Sequence, residues 1–169
     1  ADINPNAKPI MAGVTPKLKY MDADMSGLES NFSFIFEGYL EVPEDGVYNF
    51  HLSSDDGSQL IIDGKQIINH DGFHGSESKY GDVGLQKGQH QIYVDFFQGY
   101  GGKNIIVQWR KKGETTFKDI GMGSLSHTIA AQEKLSGYSL PIASGQKVPG
   151  DAFPLQTVHP SYDLSQARP

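Results

Sequence analysis

The chain has 169 residues, no cysteine, and 20 Asp plus Glu against 14 Lys plus Arg, a formal net charge of −6. This balance disfavours nucleic acid as the main partner, because a phosphate backbone is held by clustered Lys and Arg, and the lack of thiols excludes disulfides, Cys-ligated zinc and cysteine nucleophiles. One domain is expected at this length, and no run of about 18 apolar residues exists that could cross a membrane as a helix.

The first ten residues, ADINPNAKPI, carry no initiator Met and neither the basic nor the apolar part of a signal peptide, as expected of a processed mature chain or an excised fragment. Residues 1–30 hold Pro5, Pro9, Pro16, Gly13 and Gly27 with little periodicity and are expected to form an extended arm on the domain. From Asn31 to Val42 the pattern alternates, with Phe32, Phe34, Phe36, Leu40 and Val42 on one face, as in a half-buried strand. PEDG at 43–46 supplies a turn, and Tyr48, Phe50 and Leu52 alternate with Asn49, His51 and Ser53. Asp63-Gly64 between SQLII and KQIIN signals a two-residue hairpin. After a glycine-rich loop near residues 71–75, Val83 and Leu85 suggest a short strand, Lys87-Gly88 a turn, and Gln89 to Gln98 a long strand. A further loop, Gly99 to Gly102, leads to an alternating strand through Ile105, Val107 and Trp109.

About seven strands are therefore expected between residues 31 and 110, with no helical apolar stripe, which predicts an antiparallel β-sandwich or barrel. Five of the nine prolines lie at 141, 149, 154, 160 and 169. Residues 1–120 are accordingly expected to form the sandwich with its arm, and 121–169 an extended strap or linker toward a further domain, with one short helix at Ser124–Leu135.

The segments YLEVPEDGVYNFHLSSDDGSQLIIDGKQIINHDGFHG, VGLQKGQHQIYVDFFQGYGG and IIVQWR occur in an order that resembles the PA14 family over roughly residues 14–120. The resemblance implies a β-sandwich or barrel of the kind found in secreted bacterial toxins, yeast flocculins and adhesins, and bacterial glycosidases, and a secreted, periplasmic or cell-surface location. Lectin members of that family bind sugar hydroxyls through a calcium ion held by two successive Asp residues joined by a cis peptide. Asp55 and Asp56 match those positions, and the resemblance carries further ligands from a variable loop onto Gln98, Tyr100 and Asn104. The tail VHPSYDLSQARP resembles the lead-in to a sugar-dehydrogenase-like β-propeller, which makes a downstream catalytic domain an expected neighbour in the full-length chain.

In a trans strand, successive side chains point to opposite faces, whereas a cis bond would turn both carboxylates the same way. Hard Ca2+ takes six to eight oxygen ligands, and two carboxylates with amide and backbone oxygens suit it. SDDGS is also an ordinary tight turn, and family members without a lectin role carry similar motifs. In the 98–104 loop, Gln98 and Asn104 offer neutral oxygens and Tyr100 a ring to stack on a pyranose; a plain hairpin loop is the alternative. His70, Asp71, Phe73 and His74 lie on a loop that glycines 72 and 75 keep from being a helix, so a specificity or structural loop is expected rather than a transition-metal site. Trp109 and the strand phenylalanines are expected in the core, and His51, His90, His127 and His159 receive no role. Asp95 is expected to face outward without a partner acid. Glycoside hydrolysis needs two carboxylates about 5 to 9.5 Å apart, which adjacent Asp residues on one ion do not provide, and serine-nucleophile, P-loop and dinucleotide signatures are absent.

These residues predict a non-catalytic carbohydrate-binding module of the PA14 type. Its metal ligands would be Asp55, Asp56, Gln98 and Asn104, its glycan contacts Asp55, Asp56, Tyr100, His74 and Asp71, its cofactor Ca2+ and its partner a glycan or polysaccharide. The alternative is a structural spacer or protein-interaction domain that binds no sugar.

Overall fold

The computed structural model describes residues 11–15, 17–126 and 155–159. The strands in chain order are β1 (Met11–Val14), β2 (Lys19–Tyr20), β3 (Phe32–Val42), β4 (Gly46–Asp55), β5 (Ser58–Ile62), β6 (Lys65–His70), β7 (Glu77–Leu85), β8 (Gly88–Gln98), β9 (Asn104–Lys111), β10 (Lys118–Asp119), β11 (Leu125–Ser126) and β12 (Leu155–His159). Single 3-10 turns lie at Asp22–Met25 and Met122–Ser124. One antiparallel sheet runs β1-β12-β3-β8-β5-β6, with β11 also beside β3; the other runs β10-β9-β4-β7, with β2 also on β9. They pack as a sandwich and do not close into a barrel.

The alternation expected from the sequence decides which residues meet in the middle. Phe34, Phe36, Leu40, Val94 and Phe96 from the first sheet face Phe50, Leu52, Ile105 and Val107 from the second, all fully or almost fully buried. Burying each such side chain contributes roughly 1.5–3 kcal/mol. Tyr20 stacks on Phe36 at 5.8 Å between centroids and meets Phe34 edge-on at 6.1 Å, which seals the core beside β9. Trp109 packs against the core and stacks on Tyr48 at 5.2 Å, as expected for an alternating apolar face.

Seven strands, β3 to β9, do occupy residues 31–110, and Asp63 and Gly64 form the hairpin turn, with φ of 51° and 77°. Three expectations need correction. The short strand at Val83–Leu85 is the end of a nine-residue strand beginning at Glu77. Its first residues, Glu77 to Tyr80, are exposed on an edge strand, so they carry no apolar alternation to read. The helix expected from Ser124 fails at its start, because Leu125 and Ser126 pair with Leu40 and Tyr39 of β3; residues 127–135 lie outside the described residues. The arm and strap also contribute to the sheets, since β1 pairs with β12 and β12 with β3.

The order of the strands between the sheets positions the site. The chain passes from the second sheet to the first between β4 and β5, and back to the second between β6 and β7 and between β8 and β9. Ser58 pairs with both His70 and Phe96, Ser54 with Glu77, and Asp55 with Asn104. These registers bring these three crossovers to one end of the sandwich, and the β3–β4 and β7–β8 crossovers lie at the other.

Candidate functional site

The shortest of the three crossovers at this end is Asp56-Gly57, and the other two fold around it. Asp56 is buried, at 7% exposure. One of its carboxylate oxygens accepts the His74 backbone N–H at 3.1 Å and the other the Gly99 N–H at 2.8 Å. A single side chain therefore fastens both long loops, through charge-assisted bonds of the stronger kind. Gly57 permits the close approach: a Cβ there would lie 2.3 Å from the Phe97 ring and 2.8 Å from the Gly72 carbonyl oxygen.

The Asp55–Asp56 peptide bond is cis. Burial pushes the Asp55 carboxyl above its usual range, and the Asp56 charge pushes it the same way; His74 opposes and Asp22 adds to the rise. Opposite Asp55 in the sheet register stands Asn104. Its side-chain N–H donates to the Ser76 hydroxyl at 3.0 Å, while its Oδ1 is buried with no hydrogen-bond partner. Gln98 is fully buried. Its amide N–H donates to the carbonyls of Gly102 at 2.8 Å and Gly101 at 3.4 Å, and its Oε1 likewise has no partner. Gly102 lies against Asp55, since a Cβ on it would be 3.3 Å from Asp55 Oδ2. Lys103 closes the far side, donating to the Leu28 carbonyl at 2.7 Å and lying 3.7 Å from Asp22.

Two exposed aromatic residues adjoin the residues that Asp56 holds. Tyr100, which follows Gly99, is 82% exposed, and Phe73, which precedes His74, is 52% exposed with its ring edge-on to buried Phe97 at 5.3 Å. Asp71 accepts the Gly72 N–H at 3.0 Å. The ligating atoms of His70, His74 and Glu77 lie within 4.8 Å of one another. However, His70 Nε2 donates to the Glu77 carbonyl, and both His74 ring nitrogens face carbonyls, those of Gly75 and His70. Buried His70 is also pushed below the usual imidazole range by desolvation. These rings brace the loop, and their nitrogens are not turned toward a common ion.

The donor set around Asp55 fits a hard cation. Buried amide oxygens are rarely left without a partner, and here two of them, on Asn104 and Gln98, accompany a pair of crowded carboxylates. Oxygen-only ligation suits Ca2+ rather than a softer metal. Asp55, Asp56, Gln98 and Asn104 thus lie at the same end of the sandwich, with Tyr100 and His74 on the loops beside them. Gly57, Ser76 and Asp22 were not legible as site residues, because only the crossovers and registers bring them there. Asp95 does lie on the outer face, as alternation predicts, but it is buried rather than open: Gln59 donates to it at 2.6 Å, and desolvation raises its carboxyl to about 6.

The sequence profile of the PA14 domain family matches residues 23–121, more than half of the chain, and the protein belongs to that family. No curated protein sequence matches significantly. Among solved structures, the chain is similar to the PA14 sugar-binding domain from an RTX adhesin, with 19% identity and a TM-score of 0.54, covering 72% of this chain and 76% of that one. It is similar to an anti-sigma factor domain-containing protein from Clostridium clariflavum, with 19% identity and a TM-score of 0.59 over 66% of this chain and 40% of that one. It is also similar to a subtype-switched epithelial adhesin A domain from Candida glabrata in complex with β-lactose, with 16% identity and a TM-score of 0.50 over 57% of this chain. The chain spans half the length of that adhesin domain. At these identities the likenesses establish the fold. Of these three, the RTX adhesin domain is described as sugar-binding and the Candida domain is in complex with a sugar. No helix among the described residues is long and apolar enough to cross a membrane.

Proposed function

We propose that this PA14 domain is a non-catalytic glycan-binding module that works outside the cytoplasm, and that Asp55, Asp56, Gln98 and Asn104 hold the Ca2+ through which it recognises sugar hydroxyls. The observation that carries this reading is the buried, unpartnered Asn104 Oδ1 directly across the sheet from Asp55, whose carboxyl is crowded by Asp56. Bound calcium would supply a hard centre for vicinal hydroxyls and offset the repulsion between the two carboxylates.

The protein's own groups do the rest. Asp56 keeps both loops in place before a ligand arrives, so little ordering entropy is lost on binding. Gln98 holds the Gly101 and Gly102 carbonyls. Asp55 can accept hydrogen bonds from sugar hydroxyls. Exposed Tyr100 offers a ring face to the apolar side of a pyranose, and His74 and Asp71 sit on the loop that borders it. Because hydroxyls exchange water for equivalent bonds, single-site affinity is weak, and tethering beside a catalytic domain in a longer chain would raise effective concentration.

One observation favours the structural-spacer alternative: both Asp56 oxygens already bind backbone amides, so the motif holds its loops without an ion. Calorimetric titration with CaCl2 on the wild type and Asn104→Ala, followed by a glycan array with and without chelator, separates the two. Calcium binding lost in Asn104→Ala, with chelator-sensitive glycan signal, is the expected result. A folded wild type that binds neither calcium nor any glycan establishes the spacer instead.

A further inference from the structure

The outer face of the second sheet carries a feature that the calcium site does not use. His51 on β4, Tyr80 on β7 and Phe117 between β9 and β10 come from three separate stretches of chain, and their rings meet there. His51 and Tyr80 are cross-strand partners with centroids 5.0 Å apart, and Phe117 lies 5.7 Å from each. The Arg110 guanidinium sits 4.3 Å from the Phe117 ring centre. None of these rings belongs to the core, and Tyr80 is 63% exposed. A single exposed aromatic residue needs no explanation, whereas here exposed Tyr80 lies against two half-buried rings, which together form an aromatic patch at the surface.

Polar bonds set the patch in place. The Ser78 hydroxyl and the Gln108 side chain lie 2.8 and 2.9 Å from the two His51 ring nitrogens, and Gln108 donates onward to Asp119 at 2.8 Å. A parallel chain runs from Arg110, which donates to Asn49 Oδ1 at 3.1 Å, to Asp82, which accepts from Asn49 Nδ2 at 2.7 Å. Neighbouring charges balance: Arg110 and Lys19 stand against Asp82 and Asp119. Around the rings these four charges cancel, so that part of the face does not favour a polyanion or a polycation and complements a neutral molecule with an apolar face and a hydroxyl rim. The Tyr80 hydroxyl has no hydrogen-bond partner among the described residues and remains open to such a rim.

Position supplies the last element. His51 and Asp55 point to the same side of β4 and are four residues apart, about 13 Å at the rise of a strand. That span is longer than one pyranose ring. Asn104, Gln108 and Arg110 share this side of β9, so the same sheet face runs from the crossover end to the aromatic rings.

We propose that the outer face of β4, β7 and β9 is a second saccharide site, independent of calcium, in which Tyr80, Phe117 and His51 take the distal sugars of a neutral oligosaccharide whose proximal end lies at Asp55. The placement of that proximal end rests on the proposed function; the aromatic site itself does not. The test is an array of neutral hexose oligosaccharides graded from one to six units, with heparin as a polyanion control. It is probed with wild type and a Tyr80→Ala/Phe117→Ala double variant, in calcium and in chelator, with a thermal melt to establish that the variant is folded. Wild-type signal should rise with chain length and persist in part under chelator, and the folded double variant should lose about tenfold in apparent affinity for the longer chains. A double variant that fails to melt cooperatively is replaced by Tyr80→Ser alone, held to the same criterion. Signal independent of chain length, signal equal in the folded variant, preference for heparin, or no neutral oligosaccharide bound would each overturn the proposal. Signal abolished by chelator yet indifferent to the variant overturns it while leaving the calcium reading intact. Chelator-insensitive signal that depends on Tyr80 does the reverse.

Discussion

The two ends of the sandwich solve the same problem in different ways. At the end opposite the candidate site the connections are short: Asp63-Gly64 joins β5 to β6, and Gln86-Lys87 joins β7 to β8. Asp63 accepts the Gln91 N–H at 2.9 Å and bonds His90 at 2.5 Å, while His90 donates to the Gln86 carbonyl at 2.7 Å and Asp45 accepts the Lys87 N–H at 2.7 Å. At the candidate site Asp56 also pins backbone amides, but the loops are longer, two aromatic residues are exposed, and two buried amide oxygens lack partners. An aspartate clamp is thus common to both ends and says little about function. The unmatched oxygens and the crowded carboxylates set one end apart, and full pairing is what a purely structural end looks like.

That contrast can be broken by substitution. Asp56→Ala removes two charge-assisted bonds and should cost on the order of 3 kcal/mol, read as a lowered denaturation midpoint, together with any calcium response. Asp63→Ala, at the other end, should cost about 1 kcal/mol and leave calcium and glycan binding unchanged. Equal effects of the two on ligand binding would remove the distinction between the ends.

Asp55→Asn sharpens it further. Burial and the Asp56 charge disfavour the ionised carboxylate, so the variant should melt slightly higher than wild type in chelator. In excess calcium the order should invert, because a ligand that binds only the folded state stabilises it and the variant has lost a charged ligand. Melting curves that rank the two proteins identically in both buffers would contradict the assignment.

The smallest effect belongs to His90. Burial disfavours its charge, but the bonds to Asp63 and the Gln86 carbonyl outweigh this and raise it above the usual imidazole value. A raised histidine stabilises the fold fully below its unfolded pKa of about 6.5 and loses that contribution as pH climbs through the folded value. The stability difference between wild type and His90→Gln should therefore shrink from slightly acid to mildly alkaline pH, with no change in calcium binding; a constant difference would mean that His90 does not titrate in the clasp.

The long central strands were legible because Phe32, Phe34 and Phe36, and Ile92, Val94 and Phe96, alternate against one buried face. The edges were not. β7 exposes Glu77 to Tyr80, β11 has two residues, and β12 lies in a proline-rich stretch whose five-residue alternation is too short to stand out. The site divides along the same line. Asp55, Asp56, Gln98 and Asn104 could be named from motif and residue type. The Asp56 clamp, the Ser76 partner of Asn104 and the pairing of His51 with Tyr80 depend on register and crossover geometry, which no local pattern encodes.

The most direct measurement is diffraction from crystals grown with calcium chloride. The account predicts an anomalous peak touching Asp55, Asp56 and Asn104 Oδ1 at about 2.3–2.6 Å. Asn104 Oδ1 hydrogen-bonded to protein or water, with no peak beside the two carboxylates at saturating calcium, would contradict it.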